Sequence, residues 1–452
     1  MMFDEFKKVT SKEWKQKIQY ELKGEDYNSK LIWKSFEGLN IKPFYHYDDD
    51  KVNVSINHRA DSWKIGQSIF VINEKKANLK ALNLIKKGVE SINFIINDPK
   101  VSVSELFLNI DVDAIRIYIE PTFLDSNFLS KFNDKYFSKK NSIFLLNDPV
   151  GNFAKNGNWH DNFSIDNEKI FNALTNLNHL NGVISVDTGI YQNAGANITQ
   201  QIAYGLAHAN EYLNNFKNEI NNSIVFKFSL GGNYFFEIAK LQAFRIVWDS
   251  LTKHYGKEID CHIVSSPSLR NKTIYDFNIN MLRTTTECMS GILGNTDTIM
   301  NIGYDSLYKK NNSFSERLSI NQLLILKHES KFSEIKNPTE GAYYIESLTQ
   351  EIASKSLIIF KDIEKKGGFV KSLMSGLIQK KIKLNDDLEK SYYSKTKKQL
   401  LGIHLNHDQK IKMSNELELY PFLKKKKRKT LIKPIVSKRI AEEIEKKFLS
   451  DE

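Results

Sequence analysis

Cysteine is nearly missing from this sequence. Its 452 residues hold only Cys261 and Cys288, too few for a disulfide framework, which points to a reducing compartment. No apolar run approaches the roughly 18 residues of a membrane span. The opening "MMFDEFKKVTSKEW" lacks the apolar core of a signal peptide. These absences predict a cytoplasmic chain. Nucleotide and hydrolase signatures are missing too. No Gly-x-x-x-x-Gly-Lys-Ser/Thr loop occurs. The nearest approach to a Gly-x-Ser-x-Gly elbow, "CMSGILG" around Ser290, has Cys288 where the first glycine belongs. No repeat at solenoid periods is present.

What is there suffices for a large core. Hydrophobic residues make up 41% of the chain, enough for one large α/β domain with appendages or for two or three ordinary domains. The net charge is +11, and "KKKKRK", Lys424 to Lys429, supplies six of those charges. No aromatic residue interleaves with this run, as a base-stacking surface would require. It reads as a solvated loop before a nucleic-acid patch.

Residues 1–60 read as an arm. Thr10 and Glu13 have capping-box spacing, Trp14, Ile18 and Leu22 form one helical stripe, and Gly24 is placed to end the helix. The segment "LIWKSFEGLNIKPFYHYDDD" is aromatic enough to need a surface, either its own domain or a partner. From there the chain alternates. Strand-like runs occur at 68–73, 92–96, 115–120, 142–147, 182–187, 224–229, 261–265 and 297–302. Helical patterns separate most of them, the clearest at 195–214 and 235–251. Eight such alternations predict a (β/α)8 barrel over 61–400. A doubly wound sheet is the rival, weakened because no Gly-x-Gly-x-x-Gly follows the first strand. Helices continue at 313–330 and 343–366. Residues 401–452 read as a basic linker and a short helical tail, with Ile440, Ile444 and Phe448 at helical spacing.

Chemistry is harder to find. "HLNH", with His404, His407 and Asp408, has ligand-like spacing but no third histidine or cysteine cluster. "DCHIVS", Asp260 to Ser265, resembles the Asp-x-His-x-x-Gly motif that binds cobalamin through its histidine. Ser265 stands at the glycine position, and the segment reads better as a barrel strand. At the expected carboxyl ends of the strands lie Asn97, Asp98, Glu120, Asn147, Asp148, Asp187, Thr188, Ser229, Ser265, Ser266 and Asn301. They form no recognisable acid–base pair or triad.

Five stretches together resemble one family. "RTTTECMSGILGNTDTIMN" is similar to the Arg-Thr-Thr-x-Glu-Ala segment of methylmalonyl-CoA mutases. "ISVDTGIYQNAGANITQQIAYGLAHANEYL" resembles its Gln-Glu-Ala-Gly-Ala segment and following helix. "FSLGGNYFFEIAKLQAFRIVW", "NPTEGAYYIESLT" and "IEKKGGFVKSL" match further family segments in the same order. The resemblance implies a TIM-type barrel and a place in an adenosylcobalamin-dependent isomerase.

The departures from the family pattern decide the role. Ile190 stands where active mutases carry a substrate-contacting histidine, and Asn193 where they carry glutamate. A family arginine falls near His262. The flavodoxin-like cobalamin domain has no counterpart. The resemblance therefore implies a small (beta) subunit that supports a catalytic large (alpha) subunit. It implies no catalytic, cofactor-binding or metal residues in this chain. Adenosylcobalamin and acyl-CoA would be held by the partner, with no nucleic acid and no membrane involved. The arm would pack on the partner through Trp14, Leu31, Trp33 and Phe44. The alternative is a catalytic acyl-CoA mutase chain served by a separate cobalamin-binding protein. One more expectation concerns the barrel axis. "IVFKFS", "SIFLLN" and "IRIYIE" put large side chains on either face, which predicts a filled bore.

Overall fold

A computed structural model describes residues 7–49, 62–133, 142–220, 223–395, 399–405, 408, 410–423 and 428–452. Its centre is a closed parallel barrel of eight strands. They are β1 (Lys64–Val71), β2 (Ser91–Ile96), β3 (Arg116–Pro121), β4 (Ile143–Asn147), β5 (Gly182–Asp187), β6 (Ile224–Leu230), β7 (Cys261–Pro267) and β8 (Thr298–Met300). Each strand pairs with the next, and β8 closes onto β1 through Met300 and Gly66. Helices cover the outside, so most strands are buried on both faces and read as apolar runs rather than as alternations.

All eight expected strands are present, with shifted ends. β1 starts four residues early, in "KIGQ". Polar and glycine residues hid this start, and packing explains it: a Cβ on Gly66 would lie 2.8 Å from both Met300 Cγ and Thr298 Cγ2. β1 also ends early, because Asn73 caps the next helix, its side chain accepting from the Lys76 amide. The expected helices lie at Ile198–Phe216 and Tyr234–His254. The first has a full capping box between Asn197 and Gln200. Before it, Gly195 sits at φ +111° with its Cα pressed against Asp386, so that a Cβ would approach that side chain to 2.7 Å. Only glycine satisfies both demands.

Two appendages meet the barrel. In the arm, the Thr10–Glu13 capping box starts helix Ser11–Glu21 as expected, but that helix buries no residue. Further on, a short ladder pairs Trp33–Lys34 with Asn40–Ile41. It brings Leu39 and Ile41 into the main core. The tail carries helix Glu442–Asp451. Ile444 and Phe448 pack there on a second core around Tyr275, Tyr308 and Met413. Among the described residues the only other sheet is the arm ladder. No described helix is long and apolar enough to cross a membrane.

Candidate functional site

Barrel enzymes work at the carboxyl ends of their strands and over the bore. Here three layers of side chains cross that bore. At the amino end, Arg116 of β3 donates from Nη1 to the Asp297 carbonyl (2.8 Å) and to Thr298 Oγ1 of β8 (3.0 Å). At the waist, the Tyr118 hydroxyl of β3 lies 2.6 Å from His262 Nε2 of β7 and 2.8 Å from Thr298 Oγ1. Third and seventh strands face each other in an eight-stranded barrel, so this contact spans the diameter. Phe144 of β4 stacks on the His262 ring at 4.2 Å. Leu146, Val225, Val264 and Met300 complete this inner cluster, which is separate from the outer core. Burial keeps both polar groups neutral: it pushes the Tyr118 hydroxyl far up and the His262 imidazole down to about 3.

The third layer forms the mouth. Lys227 of β6 pairs with Glu120 of β3 at 2.5 Å and with Asp187 of β5 at 3.7 Å. Asn93 of β2 donates to the other Glu120 oxygen at 2.8 Å. Burial opposes charge on Lys227 and on Glu120. Their mutual attraction, with Asp187 acting on Lys227, outweighs it, raising the lysine and lowering the glutamate. The layer is therefore an ion-paired cluster of one lysine and two carboxylates.

The filled-bore expectation holds for "IRIYIE" and "SIFLLN", which send Tyr118, Phe144 and Leu146 inward. It fails for "IVFKFS". There Phe226 and Phe228 point outward onto Phe244, while Val225 and Lys227 enter the bore. The outer helices offer β6 an aromatic core, and the bore needed a cation opposite Glu120.

The strand-end residues are dispersed. Glu120 and Asp187 meet through Lys227, which the sequence reading did not single out. Its signal was a lone lysine inside an apolar strand, a residue type rarely buried unless paired. Asp148 turns away from the mouth and accepts from His208 Nε2 (2.8 Å), the Tyr212 hydroxyl (2.7 Å) and the Asp187 amide (3.0 Å). This buried network, extended by Tyr191 to His208 Nδ1 (2.9 Å), is structural. Asn97 accepts from the Thr122 hydroxyl just after β3, and Asp98 accepts from the Lys100 amide in a local turn. Asn147 donates to the Val183 carbonyl and Thr188 to the Lys227 carbonyl. Ser265 points outward to Thr296, and Asn301 donates to the Ser319 carbonyl. Ser229 and Ser266 line the mouth.

Ile190 and Asn193 sit beside the mouth. Asn193 donates to Ser229 Oγ at 3.1 Å and accepts from Ser268 Oγ at 2.9 Å, so its amide is occupied by the scaffold. Asp260 to Ser265 is part of or adjoins β7, and His262 is enclosed in the bore. It could not reach a corrin without dismantling the barrel, so the residues present do not fit cobalamin. Among the described residues no cluster suits a metal. His404 accepts from the Leu400 amide, and His407 lies outside the described residues, as do Lys424 to Lys427.

The arm residues divide between two environments. Trp33 is 47% exposed and meets Phe236 of its own barrel at 5.9 Å. Trp14 is 51% exposed, and among the described residues its ring contact is the arm's own Phe44, at 6.2 Å. Leu31 and Phe44 are half-buried.

The sequence profile of methylmalonyl-CoA mutase matches residues 138–449. A methylmalonyl-CoA mutase small subunit of Porphyromonas gingivalis is 31% identical over 84% of this chain and 67% of its own. A small subunit of Streptomyces virginiae is 29% identical over 52% of this chain and 39% of its own. The Porphyromonas gingivalis large subunit is 30% identical over 43% and 28%. The chain thus spans about two thirds of one relative and well under half of the other two. Taken with the eight-stranded barrel, the profile match over most of its length shows that this chain belongs to the methylmalonyl-CoA mutase family.

Proposed function

We propose that this chain is the small subunit of a heterodimeric adenosylcobalamin-dependent methylmalonyl-CoA mutase, and that it supports a catalytic large subunit without turning over substrate itself. The assembled enzyme interconverts methylmalonyl-CoA and succinyl-CoA. The cofactor supplies the radical chemistry, and the protein around it must orient the acyl-CoA. In our reading both ligands sit in the large subunit. The observation that carries this is the Tyr118–His262 hydrogen bond across the waist. An acyl-CoA arm threaded along the axis would have to displace both side chains together with Phe144. Ile190 in place of an imidazole adds a second reason: it has no polar atom with which to orient a thioester.

We divide the chain into a partner-binding arm (1–60), the barrel (61–400), and a linker with a terminal helix (401–452). Trp14, Leu31, Trp33 and Phe44 are the proposed contacts, and Trp14 is the sharpest probe because its helix buries nothing in this chain. Trp14→Asp should weaken heterodimerisation by tenfold or more while leaving the unfolding midpoint of the isolated chain unchanged. Unchanged association would refute the arm's role.

The test of function is adenosylcobalamin-dependent conversion of methylmalonyl-CoA to succinyl-CoA, run with this chain, the large subunit, and the mixture. Activity confined to reactions containing the large subunit is expected. Turnover by this chain with a separate cobalamin-binding protein would establish the alternative, a catalytic barrel.

A further inference from the structure

The chain's own tail builds a second cavity over the mouth. Residues 428–440 cross the carboxyl ends of β5 to β7 as a strap. The Leu431 and Ile432 amides donate to the Gly157 carbonyl, and the Ile435 amide to Ala154. The Lys438 amide donates to Asn193, and the Ile440 amide to Arg270. Arg428 donates to the Asn156 carbonyl at 2.6 Å. Asp386 anchors the far end through Lys438 at 3.0 Å. Under this strap lies a cavity of about 830 Å³. Its lining is mixed. Ile190, Leu269 and Val436 supply apolar surface. Lys155, Lys227, Arg428 and Lys433 line it as well.

The charges do not balance. Four cations, Lys155, Lys227, Arg428 and Lys433, stand around the cavity, and among the described residues Glu120 and Asp187 oppose them through Lys227, which leaves an excess of two positive charges. Lys155, Arg428 and Lys433 have no ion-pair partner among the described residues. An excess of positive charge beside apolar residues selects a ligand of matching polarity. A phosphate monoester carries nearly two negative charges at neutral pH and three acceptor oxygens, more than a carboxylate offers. We propose that this cavity binds a small organic phosphate with an apolar body, the body against Leu269 and Val436 and the phosphate near Lys155, Arg428 and Lys433. This inference rests on no part of the mutase assignment, and its failure would leave that reading untouched.

Isothermal titration of the full chain with phenyl phosphate tests it. Saturable one-to-one binding is expected, weakening as salt is raised. Lys155→Gln with Lys433→Gln should reduce affinity tenfold or more without moving the unfolding midpoint, since both side chains are exposed. Inorganic phosphate, which lacks the apolar body, and benzoate, which lacks the second charge, should each bind at least fivefold more weakly. No saturable heat, or binding that the double variant leaves unchanged, would overturn the site. Equal affinity for inorganic phosphate would overturn the apolar half of the assignment, and equal affinity for benzoate the phosphate half.

Discussion

Tyr118→Phe removes one oxygen from the waist of the barrel and nothing else. The ring keeps its stack on Phe144, 5.3 Å away. The lost hydroxyl bonds His262 Nε2 and Thr298 Oγ1. Thr298 keeps the Arg116 donation at 3.0 Å, so it is not orphaned. His262, 9% exposed, loses the partner of its Nε2 beside a Tyr118 that is 0% exposed. A lost hydrogen bond costs about 1 kcal/mol and an orphaned buried polar atom about 1–3 kcal/mol. The orphaning cost already contains the lost bond, so the variant should be destabilised by about 1–3 kcal/mol. Urea unfolding of the full chain reads this as a lower midpoint at unchanged slope. A loss under about 0.5 kcal/mol, half the value of one ordinary hydrogen bond, would refute the reasoning. It would mean that water reaches His262, and hence that the bore is open where the proposed loss of catalysis requires it closed.

Three further outcomes follow from the same layers. His262 titrates near 3 when folded and about 6.5 when unfolded, so the unfolded chain binds the extra proton and stability falls as pH drops below 6.5. The cost of His262→Asn, measured by urea unfolding, should shrink by about 2 kcal/mol between pH 7 and pH 5, because the variant escapes this loss; a constant cost would show that His262 meets water. Lys227→Met strands Glu120, and with a quarter of each side chain exposed the cost should be about 2 kcal/mol, below the 3–5 kcal/mol of a fully buried pair. Adding Glu120→Gln should recover at least half of it in the double-variant midpoint, and no recovery would mean that the pair is not the reason. Gly66→Ala drives a methyl to 2.8 Å from Met300 and Thr298 and should cost about 1–3 kcal/mol by overpacking, whereas a neutral thermal midpoint would show a looser β8–β1 seam than the geometry implies.

Much of this protein was legible one residue at a time. Eight apolar runs separated by helical stripes determined a barrel, because strand and helix periods are local properties of sequence. Thr10 and Glu13, and the stripe from Ile198, were readable for the same reason: caps and stripes join residues a few positions apart. The sequence alone also carried the family segments, and the substitutions at Ile190 and Asn193 that argue against catalysis. It did not say which face of each strand turns inward, since "IVFKFS" offers two faces and only the surrounding helices chose the one with Lys227. Nor did it join Tyr118 to His262, 144 residues apart, or Lys227 to Glu120, 107 apart. Nothing local couples such residues. They meet because barrel closure brings opposite strands together, and because a buried tyrosine, histidine or lysine must find a partner there or leave a polar group unsatisfied.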